Sequence, residues 1–370
     1  MKILVNCSTL KKGGVLQVGH SFVSELFKRS DHEYYFILSS TLAKDFQSRD
    51  KEENERVFTY DARPSVYLSL TGKESYLNRL LAQIDPDVVF TVFGPTYWKP
   101  DRPHLAGYAK AGYFYPDSPF VQQMPFFRKL KVQVLKIFHM YDFKHFNQAI
   151  VTETTDTSQR LATLLPKKKI FTVSNTYNQL FNEPEKWDKS LQLPDFDGVT
   201  MLSITANYRH KNLGIIPRVI DYLSEHHPKL NYRFVLTLKR EDYQDIEEKH
   251  ARHILFLGRV SIYQAPVLYQ QSDFMFMPTL LECFSATYPE AMKMENPVLT
   301  SDMPFARAVC GDAAVYFDPQ SPASIGEAIY SLARSEALRS EMIERGRKRL
   351  ESFETSTSRA QKYIEILENL

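Results

Sequence analysis

The chain has 370 residues, of which 43% are hydrophobic and 13% aromatic, and its formal net charge is +2. This length exceeds what one hydrophobic core usually supports and predicts two domains. This net charge is too small for the basic surface expected of a nucleic-acid-binding protein. The three scattered cysteines lack the spacing of a disulfide framework or a zinc site. No apolar run approaches the roughly 18 residues of a membrane span. We therefore expect a cytoplasmic protein with no nucleic-acid partner and no metal site.

Short apolar runs alternate with longer amphipathic stretches in both halves of the chain. This alternation is typical of βαβ units and predicts an α/β protein with two parallel, doubly wound, Rossmann-like sheets. In the first half the runs are Ile3–Val5, Tyr35–Leu38, Val88–Val92, Ala149–Val151 and Ile170–Val173. In the second half they are Thr200–Ile204, Arg233–Thr237, Ile254–Leu257, Phe274–Met277, Pro297–Thr300 and Ala314–Phe317.

The two series are separated by a segment rich in Pro, Asp, Asn and Lys, which predicts a linker. We predict an N-terminal domain over residues 1–180, a linker over 181–198, a C-terminal domain over 199–352, and a final helix over 353–370 that packs back on the N-terminal domain. Two such domains are expected to face a central cleft, with ligands bound at the carboxyl ends of the strands. Functional motifs are therefore expected in the loops that follow strands.

The first such loop, Ser8–Gly14, ends in two glycines before a helix-compatible segment. Glycine lets the backbone approach a phosphate closely, and the N-terminus of a helix favours an anion. The loop lacks the GxGxxG spacing, so a simple turn is an equal alternative.

The second loop, Ser203–Gly214, follows a predicted strand and carries Arg209 and Lys211. With Asn212 as a helix N-cap, two cations beside a helix N-terminus would hold a diphosphate. The alternative is a solvated basic loop.

The third segment places Glu282 and Glu290 after the buried strand Phe274–Met277. Glu282 is expected in the loop and Glu290 in the first turns of a helix that Ser285 caps. Carboxylates suit an apolar cleft only where a hydroxyl-rich ligand or a cation satisfies them. This position predicts a site that binds a sugar and a ribose.

From about Leu202 to Pro319 the chain resembles the donor-binding domain of retaining GT-B glycosyltransferases of family four, the group 1 type common in bacterial cell-envelope polysaccharide synthesis. The N-terminal half resembles this family more loosely, through Gly13–Gly14 among other segments. The matching segments of the C-terminal half are Arg209–Leu213, Leu257–Val260, Glu282–Met292, Pro297–Pro304 and Gly311–Pro319.

The resemblance implies roles for the matching positions. Arg209 and Lys211 would neutralise the diphosphate of the donor, Glu282 would contact the transferred sugar, and Glu290 would bind the ribose. It implies Glu282, Arg209 and Lys211 as the catalytic residues. The donor-binding residues it implies are Gly13, Gly14, Arg209, Lys211, Gly258, Val260, Glu282, Phe284, Ser285, Ala286 and Glu290.

The function implied is transfer of a hexosyl-type sugar, with retention of anomeric configuration, from a nucleotide sugar such as a UDP- or GDP-sugar to a glycan or lipid-linked acceptor. No cofactor is expected. Two alternatives stay open: a nucleotide-sugar epimerase of the same fold, and a non-catalytic protein that binds a sugar nucleotide.

The stretch Pro125–Phe146 combines basic and aromatic residues at helical spacing. Its apolar positions suit two roles: resting on anionic lipid, which would make the protein peripheral at the inner face of the membrane, or packing on its own sheet as an ordinary amphipathic helix. These positions are Phe127, Leu130, Val134, Ile137, Phe138 and Tyr141, with Lys129, Lys131 and Lys136 largely elsewhere.

Overall fold

A computed structural model describes residues 1–11, 13–46, 55–243 and 246–370. The chain divides into two compact units, each with its own parallel sheet, so the predicted pair of Rossmann-like α/β domains is confirmed. The first unit comprises Met1–Pro116, Gln123–Asn175 and Glu354–Leu370, and the second comprises Asp117–Gln122 and Thr176–Phe353.

Within the described residues, the sheet of the first unit has seven parallel strands in the order β3-β2-β1-β4-β5-β6-β7. Strands β1, β4 and β6 are runs of buried Val, Ile, Leu and Phe, as expected where helices cover both faces of a sheet. The strands are β1 Lys2–Cys7, β2 Glu33–Leu38, β3 Val57–Thr59, β4 Val88–Thr91, β5 His104–Gly107, β6 Ala149–Thr152 and β7 Lys169–Thr172.

The sheet of the second unit has six parallel strands in the order β10-β9-β8-β11-β12-β13 among the residues described. All six coincide with apolar runs predicted from the sequence. They are β8 Val199–Ser203, β9 Tyr232–Leu236, β10 Ile254–Phe256, β11 Phe274–Met277, β12 Val298–Ser301 and β13 Val315–Phe317.

Helices connect successive strands in both units. From the N-terminus they are α1 Gly14–Leu26, α2 Ser40–Ala43, α3 Val66–Thr71, α4 Ser75–Ile84, α5 Ala111–Phe114, α6 Pro119–Gln122, α7 Phe126–His145 and α8 Thr155–Leu164. They continue with α9 Ile216–His226, α10 Glu248–Ala251, α11 Ala265–Gln270, α12 Thr287–Lys293, α13 Pro304–Cys310, α14 Pro322–Arg334, α15 Glu336–Leu350 and α16 Ser356–Glu368. Single 3-10 turns are Gln179–Asn182, Pro184–Lys186, Arg209–Lys211, Leu213–Ile215 and Arg240–Asp242.

The last helix, α16, belongs to the first unit and packs against α1. Its apolar positions, Tyr363 among them, are buried in the same core as β1 and β4. The Tyr363 ring meets the Phe22 ring edge-on at 5.2 Å between centroids. Thr357 Oγ1 also donates a hydrogen bond to Glu25 Oε1 over 2.9 Å. The end of the chain is therefore fixed by both apolar packing and polar contacts.

None of the helices in the described part of the chain combines the length and apolar character that crossing a membrane requires.

Candidate functional site

The second sheet contains a pocket at the point where its strand order reverses. Strand β8 lies between β9 and β11, and the connections that leave β8 and β11 run to opposite sides of the sheet. Parallel sheets bind ligands at the carboxyl ends of their strands at such a point. A small open pocket lies there, lined by Ser203 and Met277 at the two strand ends and also by Pro278, Lys211 and Thr287.

The basic loop after β8 forms tight turns before its helix begins. The 3-10 turns Arg209–Lys211 and Leu213–Ile215 follow each other, and α9 begins only at Ile216. Asn212 lies between the turns with a left-handed φ of 55°, and its Nδ2 donates to the Pro319 carbonyl over 2.8 Å. The prediction that Asn212 caps a helix is therefore wrong: it ends one turn and ties the loop to the segment after β13.

Backbone contacts hold this basic loop against the turn that follows β11. The carbonyl of His210 accepts hydrogen bonds from Leu280 N at 2.7 Å and from Thr279 Oγ1 at 3.1 Å. The carbonyl of Leu280 in turn accepts from Ser118 Oγ at 2.6 Å, in the short segment that the second unit takes from the first half of the chain. These contacts, which the sequence did not indicate, bring Lys211 beside the acidic segment.

Lys211 and Glu282 form the central charge pair of this site. Lys211 Nζ lies 2.6 Å from Glu282 Oε1, and the two side chains are only 16% and 17% exposed. The partly buried position strengthens the attraction between the charges relative to water. Arg209 occupies the same turn with an exposed side chain. Of the two predicted cations, the structure therefore brings Lys211 to the carboxylate.

His210, which was not predicted from the sequence, also lies beside the Lys211–Glu282 pair. Its Nε2 lies 3.7 Å from Glu282 Oε1, and its ring stacks on the Tyr208 ring at 5.6 Å. Burial lowers the pKa of His210; Glu282 opposes this shift and Lys211 adds to it. A neutral imidazole at neutral pH leaves Lys211 as the cation that balances Glu282. The position of His210 in the chain, between the predicted cations Arg209 and Lys211, was the signal that the sequence offered for it.

Glu290 lies on α12 as predicted, in a more buried position than Glu282. Its residue is 7% exposed, and the Tyr269 hydroxyl lies 3.5 Å from Oε2. Burial raises the pKa of Glu290 to about 7, and the contact with Tyr269 opposes this shift. A carboxyl with this pKa changes charge near neutral pH.

The predicted cap of α12 is not formed. Ala286 occupies the N-cap position, where no side chain accepts a hydrogen bond from the helix, and the Ser285 hydroxyl instead pairs with the Thr287 hydroxyl at 2.9 Å. The prediction that Ser285 caps the helix is therefore wrong. The first turn of α12 nevertheless offers few free donors, because Tyr288 N donates to the Ser285 carbonyl over 3.2 Å and Glu290 N to the Ala286 carbonyl over 3.0 Å, while Pro289 has no N–H.

The remaining predicted donor-site residues of the second unit flank this centre. Gly258 follows β10 with a left-handed φ of 74°, and its N–H donates to the Leu238 carbonyl over 2.9 Å. Gly258 and the half-buried Val260 thus lie at the carboxyl end of β10, two strands from β8. Phe284 is half-buried and meets the Phe353 ring edge-on at 6.1 Å.

Gly13 and Gly14 lie in the first unit, at the carboxyl end of β1 and the start of α1. Gly13 has a left-handed φ of 76°, a conformation that glycine adopts without strain. A Cβ on Gly14 would meet nothing within 4 Å. The backbone therefore requires glycine at position 13 and only permits it at position 14. Contact of either residue with a phosphate stays a prediction.

The first sheet also reverses its strand order, between β1 and β4, but there the side chains of Asn6, Thr91 and His104 satisfy one another. Asn6 Nδ2 donates to Thr91 Oγ1 over 3.2 Å, and Thr91 Oγ1 lies 2.9 Å from His104 Nε2. His104 Nδ1 lies 2.8 Å from the Phe146 carbonyl, which fixes Nδ1–H as the donor and leaves Nε2 to accept from Thr91. Burial lowers the pKa of His104 to about 4, so the ring is neutral at physiological pH.

Residues 185–349 match the family model described as "Glycosyl transferases group 1". The chain is also 24% identical over 228 residues to the O-antigen chain mannosyltransferase RfbU of Salmonella typhimurium. This match covers 60% of the present chain and 58% of the length of that relative.

Solved structures with the same fold include GT-B glycosyltransferases. The sucrose-phosphate synthase of Thermosynechococcus elongatus superposes with a TM-score of 0.73 at 13% identity, covering 100% of this chain and 98% of that one. Anabaena Alr3699/HepE, solved in complex with UDP and glucose, superposes with a TM-score of 0.68 at 13% identity and covers 100% of both chains. At this identity the likeness establishes the fold, and it confirms the predicted GT-B class.

Proposed function

Because residues 185–349 match the family model of the group 1 glycosyl transferases, we propose that the protein moves a sugar from a nucleoside diphosphate sugar to an acceptor hydroxyl. The observation that carries this proposal is the Lys211–Glu282 pair, 2.6 Å apart beside a pocket at the reversal point of a parallel sheet. A cation and a carboxylate in one partly buried place suit a donor that has both a diphosphate and sugar hydroxyls.

In the proposed step, the bond between C1 of the sugar and the diphosphate oxygen breaks while a bond from C1 to the acceptor oxygen forms. The acceptor proton passes to the departing diphosphate or to water. An ammonium has three donors, and Lys211 faces Glu282 through a single carboxylate oxygen, so Lys211 keeps donors for a phosphate oxygen. Arg209, exposed on the same turn, supplies a second cation to the negative charge that develops as the diphosphate leaves.

The two carboxylates divide the remaining contacts with the donor. Glu282, in the loop, accepts from a hydroxyl of the transferred sugar, and Glu290, on α12, accepts from the ribose. In this one-step reaction, retention of anomeric configuration requires the acceptor to attack from the face that the diphosphate leaves. The donor we propose is a UDP- or GDP-hexose that reacts without a bound cofactor.

The acceptor we propose is a glycan or a lipid-linked glycan of a cell-surface polysaccharide. The similarity to an O-antigen chain mannosyltransferase supports this class of acceptor. The roles of Gly13, Gly14, Gly258, Val260, Phe284, Ser285 and Ala286 in holding the donor are part of the same proposal.

The decisive experiment is a panel of UDP- and GDP-sugars assayed in two stages. First, the melting temperature of the purified protein is measured with each compound, since a ligand that binds the folded state raises it. Second, the stabilising donors are incubated alone and with lipid-linked glycan acceptors, and sugar transfer and nucleoside diphosphate release are measured. We expect one donor class to stabilise the protein and to react in the presence of an acceptor.

The two alternatives give different results in this assay. Conversion of the donor into a new nucleotide sugar without an acceptor would identify an epimerase. Stabilisation by a donor with neither transfer nor conversion would identify a binding protein. Absence of stabilisation by every compound would contradict the assignment of the Lys211–Glu282 site to a sugar nucleotide.

A further inference from the structure

The first unit exposes a large apolar surface on two helices that pack together, α3 and α7. Ten of the fourteen large apolar side chains that are exposed among the described residues lie on these two helices. They are Val66, Tyr67 and Leu70 on α3, and Phe126, Phe127, Leu130, Val134, Leu135, Ile137 and Tyr141 on α7. We call this surface the α3–α7 face. Patches of this kind mark interaction sites in soluble proteins.

On α7 the exposed residues follow the period of the helix. Phe127, Leu130, Val134, Ile137 and Tyr141 are separated by three or four residues and so form one continuous stripe. Phe127 is 83% exposed and Ile137 is 69% exposed. Packing of this stripe on the protein's own sheet, one of the two roles that the sequence allowed, is therefore excluded.

The side of α7 that packs on the protein combines the buried Phe143 with two buried polar residues, His139 and Asp142. Asp142 is buried and accepts hydrogen bonds from Tyr97 N at 2.7 Å and Thr96 N at 3.1 Å. His139, also buried, lies between the hydroxyls of Tyr97 at 3.1 Å and Tyr113 at 2.8 Å. These contacts fix the rotation of α7 about its axis, so that His139, Asp142 and Phe143 face the protein and the stripe from Phe127 to Tyr141 faces outward.

The charge on the exposed side of α7 has one sign. Arg128, Lys129 and Lys131 lie in the first two turns, Lys136 is half-buried beside the Tyr113 ring, and the sole acidic residue of the helix is the buried Asp142. The chain as a whole carries a formal charge of only +2, so this is a local concentration of cations. Apolar side chains interleaved with cations match the boundary between the acyl chains and the anionic headgroups of a bilayer.

We propose that the α3–α7 face docks on an anionic lipid bilayer, with the stripe from Phe127 to Tyr141 in the headgroup boundary and Lys129 and Lys131 among the phosphates. A second copy of this chain fits less well. A symmetric contact through this face would bring two sets of like charges together. The proposal is independent of the sugar-transfer chemistry of the second unit.

The test is co-sedimentation of the full chain with vesicles of phosphatidylcholine alone and of equal parts phosphatidylcholine and phosphatidylglycerol. We expect binding to the anionic vesicles, little binding to the neutral ones, and weaker binding as salt is added. The double variant Phe127→Asp/Ile137→Asp is expected to lower the apparent lipid affinity by roughly tenfold or more, because it removes the two most exposed anchors of the stripe and adds like charge to that of the lipid.

A matched control adds the same charges elsewhere. Leu164→Asp/Tyr263→Asp replaces two exposed apolar residues outside the α3–α7 face, and it is expected to keep lipid affinity within about twofold. Lys129→Gln/Lys131→Gln is expected to weaken binding to anionic vesicles only. Melting temperatures and the stabilisation by a nucleotide sugar check that each variant is folded.

Three results would overturn the proposal. One is equal binding to neutral and anionic vesicles, and another is lipid binding that the two Asp substitutions on α7 leave unchanged. The third is absence of lipid binding by a wild-type chain that sediments as a dimer and becomes a monomer in the double variant, which would assign the face to a second copy. Because nucleotide-sugar binding is measured separately, failure here is distinguishable from failure of the proposed transfer activity.

Discussion

The two units have the same parallel α/β architecture, yet the points at which their sheets reverse strand order are chemically opposite. In the first unit Asn6, Thr91 and His104 satisfy one another and are fully enclosed. In the second unit the corresponding point opens on a pocket beside the partly buried ions of Lys211 and Glu282. The fold thus provides the location of a site, and the side chains at that location decide whether it can bind a ligand.

The largest effect is expected from Lys211→Ala. Loss of this cation removes the charge proposed to stabilise the departing diphosphate and leaves Glu282 partly buried without its 2.6 Å partner. We expect the rate of sugar transfer to fall by roughly 100- to 1000-fold, the scale seen when a preorganised electrostatic contact is removed. Turnover with the best donor of the panel is the measurement.

The control for this variant is Lys249→Ala, which removes a half-exposed lysine paired with Asp221 in the same unit. It is expected to leave turnover unchanged, because a surface ion pair contributes little. Near-normal transfer by Lys211→Ala would contradict the asymmetry between the two units, since the second site would then work without its central cation.

A second prediction concerns Glu290, whose pKa is raised. The enclosed group of Asn6, Thr91 and His104 at the reversal point of the first unit contains no such carboxyl. The pKa of Glu290 rises from the ordinary value of 4.5 to about 7 in the folded chain. The carboxyl therefore favours folding most below pH 4.5, and this advantage is lost as the pH rises through about 7. Glu290→Gln should increase the free energy of unfolding at pH 8 by at most about 3 kcal/mol and so raise the melting temperature at that pH. At pH 5 it should change the melting temperature little.

Glu225→Gln, on the exposed side of α9, is the matched control and should show no such dependence on pH. If Glu290→Gln and Glu225→Gln gave the same stability difference at both pH values, Glu290 would be ionised in the folded chain throughout. Its burial would then not distinguish the second site from the first.

The sequence predicted the second unit more completely than the first, and the reason lies in the length and composition of the strands. All strands of the second sheet are apolar runs. In the first sheet, β3 has three residues that are largely outside the core, and β5 is the four-residue run HLAG. A buried His104 and a glycine interrupt the apolar pattern of β5, because the polar chain through Thr91 replaces apolar packing there.

The features of the candidate site also differ in how well the sequence predicts them. Glu282 and Lys211 were found because each follows a predicted strand, and the carboxyl ends of neighbouring parallel strands meet at one edge. Contacts between segments distant in the chain had no such signal: Ser118 reaches the turn at Leu280 across 162 positions. The orientation of α7 was equally hidden, since a periodic apolar stripe shows that a helix has two faces but does not identify the face that is buried.

The smallest effect is expected from Thr91→Val, which tests whether the reversal point of the first sheet is structural. Valine matches threonine in shape but leaves Asn6 Nδ2 and His104 Nε2 without their shared partner in the core. Unsatisfied buried polar groups cost about 1–3 kcal/mol, so thermal unfolding should occur at a lower temperature. Thr59→Val, at the exposed end of the edge strand β3, should leave it unchanged. At a temperature where both variants are folded, sugar transfer by Thr91→Val should equal that of the wild type. A lower rate with unchanged stability would instead mean that this enclosed chain takes part in the reaction and that the two units are less different than their geometry indicates.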